Sequence, residues 1–282
     1  MTVPAAGIDT ASWQGAPDWA KVAAAGISFV YIKASEGGST SYPTLDKQYA
    51  GARAAGLTVG LYHYAKTGQS ATSNADALAA QVNRLGAKAG HLPPCLDIEE
   101  GAGNLASWAD TFIERLRQRT GVRRVMLYSG TSFFKDRLGE GWMDDDIALW
   151  IAHYGKLPGQ PGYKTPRVAI HQYSQIGKVA GIAGAVDLNV ALKPLSELTM
   201  AANPKGTDDV ALSDTDIRRI ADTILDTPVP RQGAIPNAGK PLTLRGMVAW
   251  FDAVATHAPF DDARAQELLV AVQAIRTRLD AQ

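Results

Sequence analysis

Two carboxylates one residue apart, Asp97 and Glu99, close the run His91-Leu92-Pro93-Pro94-Cys95-Leu96-Asp97-Ile98-Glu99. On a strand, alternation puts Cys95, Asp97 and Glu99 on one face and Leu96 and Ile98 on the other. An apolar run that ends in paired acids fits a core strand with chemistry at its tip, because folding alone gives no reason to set two like charges side by side. Cleavage of a glycosidic bond needs such a pair, one group protonated and one ionised. An isolated pair of this spacing is more often two solvated acids opening a loop, so the weight falls on its neighbours.

The elements that must position this pair repeat along the first two hundred residues, where short apolar runs alternate with amphipathic ones in the manner of an α/β protein. Strands are predicted near 5–9, 27–34, 57–64, 92–99, 123–129, 147–152, 167–173 and 185–188, which suits a closed TIM-like barrel. Helices are predicted near 17–25, 44–55, 71–88 and 104–119, with Gly26, Gly56, Gly90 and Gly121 where a left-handed cap is wanted. No comparable helical pattern follows residue 140, so the later strands are expected to be joined by loops.

Barrels of this kind carry their chemistry at the C-terminal ends of the strands. The unusual polar residues fall there: Asp9, Lys33 and Glu36, then Tyr62, His63 and Tyr64, and finally Asp187. Asp9, Asp97, Glu99 and Asp187 would make a groove of four acids. They cannot all ionise comfortably, so the least solvated should keep its proton near neutral pH, and Glu99 is the expected holder.

At 282 residues and 46% hydrophobic, the chain can fill one barrel-sized domain and a small appendage. Its 28 basic residues balance 28 acidic ones, so no global field points to nucleic acid or an anionic membrane. Cys95 is the only cysteine, which excludes an intrachain disulfide, and it reads as a small buried filler. The five histidines show no local metal-ligand spacing, and neither a metal nor a cofactor is expected. Residues 233–240 look like a phosphate loop only superficially, since the glycine spacing is one too long and Pro241 replaces the hydroxyl residue. No apolar stretch is long enough to cross a membrane. Met1 to Ala6 lacks the basic start and apolar stretch of a leader, so synthesis without a signal peptide is expected.

A set of ordered phrases then resembles the glycoside hydrolase family 25 lysozymes, the Chalaropsis-type muramidases. It begins with Gly7-Ile8-Asp9-Thr10-Ala11-Ser12-Trp13-Gln14-Gly15, Phe29-Val30-Tyr31-Ile32-Lys33-Ala34-Ser35-Glu36-Gly37 and Val59-Gly60-Leu61-Tyr62-His63-Tyr64. It continues with Leu92 to Glu99, Tyr128-Ser129-Gly130, Leu149-Trp150-Ile151-Ala152-His153-Tyr154, His171-Gln172-Tyr173-Ser174 and Val186-Asp187-Leu188-Asn189. The resemblance covers residues 5–198 and departs only at Ser35, Tyr64 and the doubled acid Glu100.

It implies a (β/α)5β3 barrel that cleaves the β-1,4 bond between N-acetylmuramic acid and N-acetylglucosamine of peptidoglycan. Glu99 then matches the general acid/base and Asp97 its acidic partner, either attacking the anomeric carbon or steering the substrate acetamido group. Asp9 and Asp187 match the other two acids of the groove. Tyr62, Tyr128, Trp150 and Tyr154 are candidates to stack on sugars, Trp150 being favoured by the resemblance. Lys33, Glu36 and Gln172 are candidates to bond hydroxyl or acetamido groups. A barrel that grips glycan without cutting it is the competing reading, and the intact acid pair argues against it.

The barrel is assigned to residues 1–200, a linker to 201–212 and a small helical region to 213–282. In the last helix Leu268, Val272, Ile275 and Leu279 form a short heptad seam. From 205 to 282 there are 9 basic and 11 acidic side chains, a net of −2, which gives little attraction to an anionic wall. The segment is expected to self-associate, with wall targeting as the alternative. A catalytic barrel, no leader and a C-terminal appendage together resemble a bacteriophage endolysin, made in the host cytoplasm and acting on the wall. A secreted lysozyme that has lost its leader is the alternative. Light scattering is expected to find a dimer for the full chain and a monomer after truncation at Met200. A monomeric full chain would refute self-association.

Overall fold

The computed structural model describes residues 4–39 and 44–201. In chain order these form β1 (Ala6–Thr10), α1 (Trp19–Ala24), β2 (Ile27–Glu36), α2 (Leu45–Ala54), β3 (Thr58–Tyr64), α3 (Ala71–Leu85), β4 (Cys95–Asp97) and α4 (Leu105–Thr120). There follow β5 (Val125–Gly130), α5 (Thr131–Phe133), β6 (Ile147–Ala152), β7 (Val168–Gly177), β8 (Val186–Ala191) and α6 (Leu195–Leu198). The eight strands close a barrel in sequence order. Neighbours from β1 to β7 run parallel, while β8 is antiparallel to both β7 and β1. A helix follows each of the first five strands, so the (β/α)5β3 expectation holds. The linker at 201–212 and the helical region at 213–282, with its seam, lie outside the described residues apart from Ala201.

Strand alternation sorts the apolar side chains into two shells. Branched aliphatics such as Ile8, Val30, Ile32, Leu61, Leu96 and Leu127 point outward and are covered by the helices. The interior is aromatic instead, with Phe29, Tyr31, Tyr62, Tyr128 and Trp150 packed around Cys95 and Met126. Tyr31 and Trp150 stack with ring centroids 4.7 Å apart, and Tyr31 Oη donates to the Pro93 carbonyl at 2.9 Å. Cys95 is a buried free thiol among these rings, as expected of a filler.

The helix starts follow side-chain chemistry. Asp18, Ser70 and Asn104 each accept the backbone N–H three residues on, opening α1, α3 and α4. The α3 cap corrects the sequence reading: Gly86, in the left-handed region at φ 61°, ends the helix at Leu85, and Gly90 lies beyond it. The expected strand at 92–99 is also shorter, since only Cys95–Asp97 pairs. Pro93 and Pro94 have no N–H to give the ladder. Past Asp97 the chain leaves the sheet after one further bond, from Ile98 N to the Tyr128 carbonyl. Another helical turn, α5 continuing as a wide π turn over Phe134–Leu138, was not expected from the sequence.

His63 is structural, on the outer face of β3. Ser35 Oγ lies 2.8 Å from its Nδ1 and Asn74 Oδ1 2.9 Å from its Nε2, and burial pulls its pKa down to about 4.

Two glycines let the aromatic interior close. A Cβ on Gly7 would lie 2.2 Å from Phe29 Cζ, and one on Gly60 2.3 Å from Tyr31 Cε1. Gly7→Ala is therefore expected to cost about 1–3 kcal/mol by overpacking, a fall of roughly 2–12 °C in Tm for a domain of this size. An unchanged thermal melt would show that β1 can shift to make room.

Candidate active site

The four acids meet at the mouth of the barrel. Asp9 on β1 and Asp187 on β8 are direct partners across the antiparallel ladder. Asp97 ends β4, level with Tyr64 on one side and Tyr128 on the other. Glu99 lies two residues beyond it. The carboxyls fall into two hydrogen-bonded pairs, Asp97 with Glu99 and Asp9 with Asp187. Each pair has a buried and a more open member: Asp9 and Asp97 are each 6% exposed, Asp187 is half-buried and Glu99 opens on the groove.

These environments set the proton affinities. Burial lifts the pKa of Asp97 well above the usual carboxylate range, and the charges of Glu99 and Asp9 add to it. Asp9 is raised well above that range too, first by burial and then by the charge of Asp187. Glu99 is raised less, because its hydrogen bond with Asp97 opposes the effect of burial. This corrects the expectation that Glu99 is the least solvated acid. The strand stops at Asp97, so Asp97 stays in the wall and its proton affinity is the more strongly raised of the pair. Asp97 Oδ1 is buried and is the one such side-chain atom among the described residues without a hydrogen-bond partner.

Below the acids, Gln172 and Asn189 connect the aromatics to Asp9. Tyr128 and Tyr154 donate to Gln172 Oε1 at 2.8 and 2.6 Å, and Gln172 Nε2 donates to Asp9 Oδ2 at 2.8 Å. Trp150 Nε1 donates to Asn189 Oδ1 at 2.8 Å, and Asn189 Nδ2 donates to the same Asp9 Oδ2 at 2.7 Å.

Several substrate-contact expectations change here. Trp150 is 2% exposed, stacked on Tyr31, and has no free face for a sugar; it is the floor beneath the site. Tyr62 and Tyr128 are buried against it edge-on, at 6.5 and 4.7 Å between centroids. Gln172 is buried and spends its amide inside the protein. Lys33 is also buried and meets Glu36 at 2.6 Å, so the two first serve each other. Of the four aromatics proposed for stacking, Tyr154 alone is well exposed. Trp13 was missed: it is 70% exposed, with Lys33 Nζ 5.8 Å from its ring centroid. Its signal lay in the phrase Thr10-Ala11-Ser12-Trp13, directly after the strand that carries Asp9. Asn189 was missed as well, since nothing local marks its partners.

Among the described residues no group of three or more His, Cys, Asp or Glu side chains is arranged to hold a metal ion. A separate depression of about 690 Å³, lined by His153, Lys156, Tyr163 and Leu192 among others, contains none of the four acids.

A family model described as glycosyl hydrolases family 25 matches residues 8–182. The chain is 32% identical over 210 residues to Lysozyme M1 of Streptomyces globisporus, covering 70% of this chain and 71% of that one. The bacterial lysozyme of Streptomyces coelicolor is similar in structure, with a TM-score of 0.62 at 31% identity over 70% of this chain and 96% of that one. The catalytic domain of the endolysin ply40 from bacteriophage P40 of Listeria monocytogenes gives a TM-score of 0.54 at 28% identity, over 67% and 94% of the two chains.

The raised pKa of Asp9 has a consequence for stability. A native carboxyl that holds its proton more tightly than the unfolded chain does must release it on unfolding, so stability falls as pH rises from about 4 through the native value. Asp9→Asn keeps the shape and removes the titration. It is expected to flatten that decline and raise Tm at pH 7, which melts between pH 4 and 8 would record. An unchanged slope would mean that Asp9 is ionised in the native protein.

Proposed function

The chain belongs to glycosyl hydrolases family 25, and from that membership we propose that it is a peptidoglycan muramidase, cutting the β-1,4 bond between N-acetylmuramic acid and N-acetylglucosamine with retention. The observation that carries this reading is the Asp97–Glu99 pair, one carboxyl buried and one open, joined by a hydrogen bond at the mouth of the barrel. An inverting pair needs about 6.5–9.5 Å between carboxyls to admit a water, and two bonded carboxyls have no such gap.

Glu99 is the general acid/base in this scheme, because it is the member that faces the groove and can reach the glycosidic oxygen. Asp97 serves the substrate acetamido group. No protein group donates to Asp97 Oδ1, and in this scheme a turn of the buried side chain toward the groove brings it to the substrate amide N–H. With that N–H bonded, Asp97 is held ionised and the shared proton passes to Glu99. Glu99 protonates the departing oxygen while the acetamido oxygen closes on the anomeric carbon, and the Glu99 carboxylate then activates the water that reopens the ring. The charge remaining on Asp187 stabilises the cationic transition state. Trp13 and Tyr154 offer the exposed ring faces for sugar stacking.

The wider proposal is a bacteriophage endolysin, made in the host cytoplasm and acting on the cell wall, whose residues 213–282 self-associate. Its support is the likeness to the ply40 catalytic domain and the seam in the last helix.

Mass spectrometry of digested peptidoglycan is the test: muramic acid is expected at the new reducing ends, with stem peptides uncut. N-acetylglucosamine ends or freed alanine amino groups would point to another bond. Glu99→Gln is expected to remove about three decades of activity or more, since Glu99 acts in both half-reactions, while Tm changes little. Activity within tenfold of the parent would sink the assignment.

A further inference from the structure

A single tryptophan exposed to solvent is ordinary by itself. What sets Trp13 apart is the frame that carries it. After Asp9 and Thr10 the chain makes one tight turn over Ser12–Gln14, closed by Gly15 N donating to the Ser12 carbonyl at 3.1 Å. Gln14 folds back into the turn, where its Oε1 accepts from Ala11 N at 2.7 Å. Gly15 leaves at φ 62°, a conformation that favours glycine. Gln14 is 7% exposed and Trp13 is 70% exposed, so one short turn sends two adjacent side chains to opposite sides.

The turn is also gripped by a helix. α2 buries Leu45, Gln48 and Ala52, and the middle place of that stripe holds a polar amide where an apolar side chain would pack without needing partners. Gln48 is 1% exposed. Thr10 Oγ1 donates to its Oε1 at 2.9 Å, and its Nε2 donates to the carbonyls of Ala11 and Gly15, both at 2.9 Å. Backbone carbonyls only accept, so the amide sits one way round. The two carbonyls it holds are the first and last of the loop that carries Trp13. A buried amide is costly unless its bonds are met, and here all three of them go to the segment Thr10–Gly15.

We infer that Gln48 is a positioning residue for glycan binding: from α2, through these three hydrogen bonds, it fixes the Ala11–Gly15 loop so that Trp13 stands at the mouth as a rigid platform for a pyranose ring. The inference rests on the reading of this groove as a glycan site. The ring stands beside the acid pair's own cation, since Lys33 Nζ is 5.8 Å from its centroid and the charge of Lys33 is felt at both Asp97 and Glu99. A loose loop would lose conformational entropy when a sugar stacked on it, and a loop already ordered by Gln48 has lost it beforehand. Gln48 touches no substrate and acts through Trp13 alone.

The test uses the full chain. Kd is measured by calorimetry in a Glu99→Gln background, with a soluble tetrasaccharide of alternating N-acetylglucosamine and N-acetylmuramic acid, and KM and kcat are measured with Glu99 in place. Trp13→Ala is expected to raise Kd and KM about tenfold, with kcat moving far less, as for the loss of uniform binding. Gln48→Met keeps the length of the buried side chain and removes its three bonds; it is expected to raise Kd and KM about threefold or more. Added to Trp13→Ala it should raise them no further, because nothing is left to position. A merely structural role would lower kcat, or would show its full effect with and without Trp13. Should Gln48→Met fail to fold, Gly15→Ala loosens the same loop through strain at φ 62°, with no atom within 4 Å of the added Cβ, and the same pattern is expected. Parent-like Kd in Trp13→Ala or in the folded loop variant, or equal effects with and without Trp13, would overturn the proposal and leave the muramidase reading standing. A parent that binds the tetrasaccharide without cutting it would overturn the muramidase reading, and the Kd values would still decide this one. A parent that neither binds nor cuts overturns both.

Discussion

The mutual repulsion of four carboxyl groups gathered at one end of a barrel is the force around which the rest of the site is arranged. Two unit charges 4 Å apart at an effective dielectric of about 20 repel by about 4 kcal/mol, a large share of the roughly 5–15 kcal/mol that holds a domain together. Pairing relieves most of this. Asp97 with Glu99 and Asp9 with Asp187 each share a hydrogen bond, and each pair can retain one proton. Because one member of each pair is more deeply buried than the other, burial raises the proton affinity of that member the more. The more open members, Glu99 and Asp187, are the ones that face the groove.

The barrel interior pulls against that rise at Asp9, because N–H donors favour its ionised form. Aliphatic side chains would fill the same volume and bury Asp9 equally well, but they have no donors. Trp150, Tyr128 and Tyr154 bring one donor each, and two buried amides deliver them to a single carboxylate oxygen. The same Trp150 packs on Tyr31, Tyr62 and Tyr128, so the packing that closes the barrel also determines where the donors point. Gly7 and Gly60 belong to this arrangement, since any larger residue would push the rings that hold the donors.

The sequence made much of this legible. Alternation in Cys95-Leu96-Asp97-Ile98-Glu99 and apolar runs ending in Asp9, Lys33 and Tyr62 are local signals, and they located the strands and the mouth. What stayed hidden is height along the barrel axis. Trp150 and Trp13 are both tryptophans in family-like phrases, yet Trp150 lies within a strand, below the mouth, and Trp13 lies past one. The difference of two residues between Asp97 and Glu99 likewise turns a wall position into a groove position, and only the end of β4 decides it. Asn189 had no readable signal, because its role is fixed by partners 39 and 180 residues away in sequence.

The direction of β8 has a different kind of consequence. Because it runs against its neighbours, Asp187 stands at the start of its strand, and the chain reaches it from β7 through residues 178–185 without an intervening helix. The loops after β1 to β4 each feed a helix that is docked on the barrel wall, so altering their length means redocking that helix. The β7–β8 hairpin feeds no helix of its own, and beyond the sheet it is held where the Asp18 N–H at the start of α1 donates to the Gly181 carbonyl at 2.8 Å. In an evolving lineage it is the segment of the mouth that can grow, shrink or be exchanged between relatives with the least disturbance to the register of the barrel, and so the natural place for one enzyme's groove to diverge from another's while the four acids stay fixed.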